Sequence, residues 1–176
     1  MLTGFSYHSN FLEVAEENML LTTIGALPFR TDVVRGKTMR RTIVCYGNDY
    51  SVARRSARNP APPMPPFLQT LRDRAAALAD IDPATLTQAI IWKYPPRVGI
   101  NWHVDHKDYG PVICGVSIGS GATMRLRNDS EEVRQQVEPR SLYILRDEAR
   151  YAWLHKVDGN RDERYSITFR SMTART

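Results

Sequence analysis

Cysteine is scarce in this chain: of 176 residues only Cys45 and Cys114 carry thiols, far apart and each in an apolar setting. So few thiols exclude a disulfide-stapled scaffold, and both read as buried groups in a reducing compartment. Long hydrophobic runs are missing as well, which excludes a helix that crosses a bilayer. The opening Met1-Leu2-Thr3-Gly4-Phe5 has neither the basic flank nor the apolar stretch of a secretory leader. A cytoplasmic protein without a membrane partner is therefore expected. No internal repeat, low-complexity tract or domain boundary is visible, so residues 1–176 are expected to form one domain, working as a monomer. Histidine is rare too, with four residues in all, so the placement of each one carries weight.

What is present is plainly globular: 42% hydrophobic and 24% charged residues. The net charge is +5, with an isoelectric point near 9.4. The basic excess is concentrated: between Arg30 and Arg58 there are eight basic residues (Arg30, Arg35, Lys37, Arg40, Arg41, Arg54, Arg55, Arg58) against Asp32 and Asp49. Such a patch suits a polyanion such as nucleic acid, although it would also serve solubility alone.

Periodicity divides the chain in two. Phe11–Ile24 has helical spacing, with Ser9 or Asn10 as cap, Glu13, Glu16 and Glu17 in its first half, and Gly25 and Pro28 to end it. Met39–Tyr46 reads as a strand, Gly47-Asn48-Asp49 as a turn, and the five prolines of 59–66 as an extended surface crossing. Phe67–Ala79 is a second amphipathic helix, with apolar residues at 68, 71, 75 and 78. Eight short strands are predicted after that: Ala89–Tyr94, Val98–Trp102, Val112–Ile118, Thr123–Leu126, Val133–Val137, Ser141–Leu145, Ala152–His155 and Ser166–Arg170. Helices followed by many short strands argue an α+β fold, a double-sheet jelly roll with the N-terminal helices packed on one sheet.

Within this frame His103-Val104-Asp105 and a distant His155 form a candidate metal set. His103 and Asp105, two apart on a strand or its exit, project to one side. Two imidazoles and one carboxylate make the facial triad of Fe(II), with open positions for O2 and a co-substrate. Zinc takes a similar set. The run Arg164-Tyr165-Ser166-Ile167-Thr168-Phe169-Arg170 favours iron, because Arg164, Ser166, Thr168 and Arg170 alternate onto one face. A guanidinium grips a carboxylate through two parallel hydrogen bonds, so this strand is suited to a dicarboxylate. His106 is turned off that face by the strand alternation, and His8 is expected in a loop, with no chemical signal.

These residues, with Tyr94 and the run Glu138–Leu145, make the chain resemble the AlkB-type Fe(II)- and 2-oxoglutarate-dependent dioxygenases over nearly its whole length. The resemblance implies a helical, substrate-recognition part at 1–87 and a catalytic jelly roll at 88–176. It implies Fe(II) on His103, Asp105 and His155, with O2 and 2-oxoglutarate as the other reactants. Arg164, helped by Tyr94 and Ser166, would hold the distal carboxylate of 2-oxoglutarate, and Arg170 would lie near the carboxylate lost as CO2. The expected reaction is oxidative demethylation of alkylated nucleic acid, releasing succinate, CO2 and formaldehyde. Protein or small-molecule substrates, or a silent binding module, are the alternatives. Tyr46, Tyr50, Lys107 and Asp108 are the candidate substrate contacts. The chain departs from the family's usual asparagines at Trp92 and Ser166, and Lys107 stands where some members have an acid.

Overall fold

Strands buried on both sides need apolar residues at every position, and the middle of this chain supplies them. The structure is a computed structural model that describes residues 2–34, 36–51 and 56–173. Its elements run β1 (Phe5–His8), α1 (Val14–Gly25), β2 (Arg30–Val34), β3 (Lys37–Tyr46), β4 (Asn48–Ser51), β5 (Ser56–Pro60), α2 (Pro66–Leu78) and a 3-10 turn at Pro83–Thr85. They continue β6 (Gln88–Tyr94), β7 (Ile100–His103), β8 (Tyr109–Ile118), β9 (Ala122–Arg127), β10 (Glu132–Val137), β11 (Ser141–Leu145), α3 (Asp147–Tyr151), β12 (Leu154–Val157) and β13 (Arg164–Met172).

Two antiparallel sheets form the jelly roll that the sequence predicts. The larger has the order β1-β11-β8-β13-β6-β3-β2, the smaller β10-β9-β12-β7, and β4-β5 makes a separate ribbon. Period-two alternation sends Ala89 and Ile91, Cys114 and Val116, and Ile167 and Phe169 to one face of the large sheet. There they bury Leu20 and Ile24 of α1 and Leu68, Leu71 and Ala75 of α2. The opposite face turns inward toward the small sheet, where Ile113, Tyr143 and Leu145 meet Met124, Leu126 and Trp153. Among the described residues no helix is long and apolar enough to cross a membrane.

Several local expectations change. Helix α1 starts at Val14, not Phe11, because Glu13 caps it in a reciprocal box with Glu16. Phe11 and Leu12 precede the helix and are buried. Strand β1 was not expected, since Phe5–His8 is only half-buried and pairs with distant β11. The Pro-rich crossing opens as β5, and the Gly47 N–H donates to the Pro62 carbonyl, so this segment is pinned rather than free. Gly47 itself has φ +76°, and a Cβ there would lie 2.0 Å from the Thr87 carbonyl oxygen. Of the basic stretch, Arg35, Arg54, Arg55 and the Arg58 side chain lie outside the described residues.

Candidate active site

Strand pairing closes the 52-residue gap between the two histidines. β12 runs antiparallel to β7 with His155 directly opposite His103, and their ring centroids lie 4.2 Å apart. His103 is the last residue of β7, so Asp105 follows in the loop that leads to β8. One ligand-type atom from each of His103, Asp105 and His155 lies within 4.8 Å of the other two. His155 Nε2 is 3.3 Å from Asp105 Oδ2.

The surroundings prepare these three groups for a cation. His103 Nδ1 lies 2.8 Å from the Asn101 carbonyl, so its N–H donates there and Nε2 keeps a free lone pair. Burial, then the neighbouring His155, push the His103 imidazole down to about 4, so it is neutral at physiological pH. Burial alone would favour a protonated Asp105, but Arg170 and both imidazoles hold the carboxyl well below the usual range. Two imidazoles and one ionised carboxylate are the donor set of a divalent transition metal. The residues fit an Fe(II) centre.

Arg170 stands behind the aspartate. Its Nη2 donates to Asp105 Oδ1 at 3.1 Å and its Nη1 to Thr168 Oγ1 at 2.6 Å, while Nε is buried with no partner among the described residues. Its guanidinium also lies over the Tyr109 ring. Arg164, six residues earlier on the same inward face of β13, is 3% exposed. It donates through Nε to Ser117 Oγ at 3.0 Å and lies over the Tyr94 ring. Burial presses its guanidinium toward the neutral form, Tyr94 and Tyr143 are the groups that oppose this, and no carboxylate among the described residues pairs with it. Ser166 sits between the two arginines, buried and in register with Ser117 and Trp92.

A cavity of about 870 Å³ opens onto His103 and Asp105, with Tyr50, Trp92, Arg40, Arg41, Lys156 and Tyr109 among its walls. Tyr50 lines this cavity, 6.1 Å from the Tyr109 ring. Tyr46 does not. It pairs with Ala89 and packs against the helix-facing core, because odd and even residues of β3 face opposite ways. Lys107 is exposed outside the cavity wall, and Asp108 is buried beside the His106 imidazole. Sequence reading missed Trp92 as a cavity wall, with Arg41 stacked 4.6 Å over it, and missed Arg150 altogether. An arginine inside the otherwise apolar Ala149–Trp153 stretch is the signal that could have marked the latter.

Comparisons agree with this geometry. Residues 4–170 match the family model described as 2OG-Fe(II) oxygenase superfamily. The uncharacterized protein L905 of Acanthamoeba polyphaga mimivirus is 39% identical over 100 residues, 48% of each chain. The alkylated DNA repair protein ALKBH8 homolog of Arabidopsis thaliana is 25% identical over 182 residues, 89% of this chain and 51% of that protein. The mitochondrial alpha-ketoglutarate-dependent dioxygenase alkB homolog 7 of Mus musculus is 37% identical over 90 residues, 49% of this chain and 40% of that one. The chain thus spans about half the length of the curated relatives it matches, or less. In fold it resembles OsALKBH1 (TM-score 0.76, 16% identity, 97% of this chain and 98% of that one). It also resembles a Pseudomonas putida prolyl-4-hydroxylase (TM-score 0.63, 16% identity, 97% and 93%). Triad, arginine strand, jelly roll and family match converge, and the chain belongs to the 2OG-Fe(II) oxygenase superfamily.

Proposed function

We propose that this protein is an Fe(II)- and 2-oxoglutarate-dependent dioxygenase that oxidatively demethylates alkylated nucleic acid. His103, Asp105 and His155 hold the metal. The buried guanidinium of Arg164, together with Tyr94 and Ser166, receives the distal carboxylate of 2-oxoglutarate, a group that would repair its lack of a counter-ion. Arg170 shares its charge between Asp105 and the carboxylate that is lost, to which its open Nε can donate. Iron, O2 and 2-oxoglutarate together supply C–H oxidation coupled to decarboxylation, and an oxidised N-methyl group falls apart to formaldehyde and the free amine.

One observation carries the choice of substrate: the cavity beside the triad is walled by aromatic rings and by two arginines, Arg40 and Arg41, that have no acid partner among the described residues. Asp32 and Asp49 both engage Arg30. Lys37, Arg40 and Arg41 have no ion-pair partner among the described residues, and Arg40 and Arg41 face the cavity. An enzyme acting on a base must take it from the stack, grip it by stacking and hold its phosphates with cations. Tyr50 and the β2–β3 hairpin supply those features. The jelly roll is shared with prolyl hydroxylases, so the fold itself does not choose the substrate.

The test is formaldehyde and succinate release from N-methylated single-stranded oligonucleotides, with methylated peptides alongside. Stimulation by an oligonucleotide, falling steeply as salt rises, is expected. Stimulation by peptides alone, or by no methylated base at low salt, overturns the reading.

A further inference from the structure

Asp105 sits in a loop, yet a metal ligand has to be held to within a fraction of an ångström. What holds it is Arg150, a fully buried arginine outside the ligand and co-substrate sets. Its donors go to four backbone carbonyls of one segment: Nε to Gly110 at 3.2 Å, Nη1 to Asp105 at 3.2 Å, and Nη2 to His106 at 3.0 Å and Tyr109 at 3.1 Å. Buried arginines ordinarily face a carboxylate. This one spends its fork on main chain, and the acceptors bracket the loop from the ligand to the start of β8.

The mount of Arg150 is itself fixed. It lies in α3, whose Ala149 N–H donates to the Thr3 carbonyl, while the Arg146 N–H donates to the Gly4 carbonyl. Thr3 Oγ1 also donates to Glu148. Five residues beyond Arg150 comes His155. A single guanidinium therefore joins the loop that carries the aspartate to the segment that delivers the third ligand. We propose that Arg150 is a positioning residue for the metal centre, fixing the Asp105 loop against the α3–β12 segment before any metal arrives.

Lysine cannot reproduce a fork of four hydrogen bonds, although it keeps the charge. The experiment is Mn(II) binding to metal-free protein, read from the loss of the free-ion EPR signal. Arg150→Lys and Arg150→Gln are expected to weaken binding 10- to 100-fold, the range typical of groups that orient ligands. Far-UV circular dichroism should stay native, and the exposed control Arg134→Gln should bind as wild type does. Guanidinium ion added to Arg150→Ala should restore part of the affinity, which a general loss of stability would not allow. Folded Arg150 variants that bind Mn(II) within twofold of wild type would overturn the assignment. Should the variants fail to fold, wild type decides: backbone order at residues 106–109 in the metal-free protein should match the strands, at about 0.85. Values below about 0.6 that rise only with Zn(II) would exclude a preformed loop. No Mn(II) binding by wild type would sink the metal centre and the clamp together, whereas the other adverse results sink the clamp alone.

Discussion

Asp105 has two duties at the residue scale, and they separate cleanly by mutation. One oxygen faces His155 and the other accepts from Arg170, with both side chains less than a tenth exposed. Asp105→Ala therefore removes a ligand and also strands a buried guanidinium. Breaking such a pair costs roughly 3 kcal/mol, here softened by the open cavity. The metal-free variant should melt about 6–12 °C below wild type. His103→Ala also loses the metal but leaves no buried charge, and its metal-free melting point should move much less. Equal shifts in a calorimeter would contradict this division. Arg164→Ala should raise the 2-oxoglutarate KM at least tenfold, a change of about 1.4 kcal/mol in binding. An unchanged KM in a succinate-release assay would remove Arg164 from the carboxylate site.

At the scale of elements, the placement of α1 on the sheet depends on one buried acid. Glu17, 7% exposed, accepts the Gly119 N–H at 2.9 Å through Oε1 and Arg140 Nη1 at 3.1 Å through Oε2. It ties the helix to the β8–β9 turn and to the entry of β11 at once. Glu17→Ala leaves an amide and a partly exposed cation unsatisfied, and about 2 kcal/mol of stability should be lost. Urea denaturation measures this, and a loss under 0.5 kcal/mol would mean the contacts are incidental. The elements also explain where local reading stopped. Strands β6, β8 and β13 were legible because their apolar residues are continuous or alternate cleanly, whereas Phe5–His8 becomes a strand only because β11 offers it an edge. Helix α3 is too short to show a period, and its buried Arg150 runs against a surface-arginine expectation.

Across the whole molecule, burial of the site should set how stability responds to acid. The His103 imidazole stays neutral down to about 4 in the folded protein, against about 6.5 when the chain is unfolded. Between those values the unfolded state binds the extra proton, so stability rises with pH across this window. Asp105 acts in the same sense at lower pH, because its depressed value gives stability above about 3.9 that is lost as pH falls further. The melting point of metal-free protein should therefore drop from pH 6.5 toward 4. His103→Asn should flatten that slope, and an unaltered slope would place the responsible proton elsewhere.

The sequence by itself determined the donor set, His103-x-Asp105 with His155, and the one-sided array Arg164, Ser166, Thr168 and Arg170, because two-residue alternation is a local property of any strand. It also determined the succession of helices before strands, which follows from hydrophobic periodicity. Tertiary structure alone decided that His155 lands opposite His103, that Arg170 faces Asp105, that Tyr50 lines the cavity while Tyr46 packs outside it, and that Arg150 fastens the loop. Each of these depends on which distant strands pair and in what register. A shift of one residue would turn every side chain to the other face; a strand's own alternation says which face is buried, but not which distant strand lies beside it.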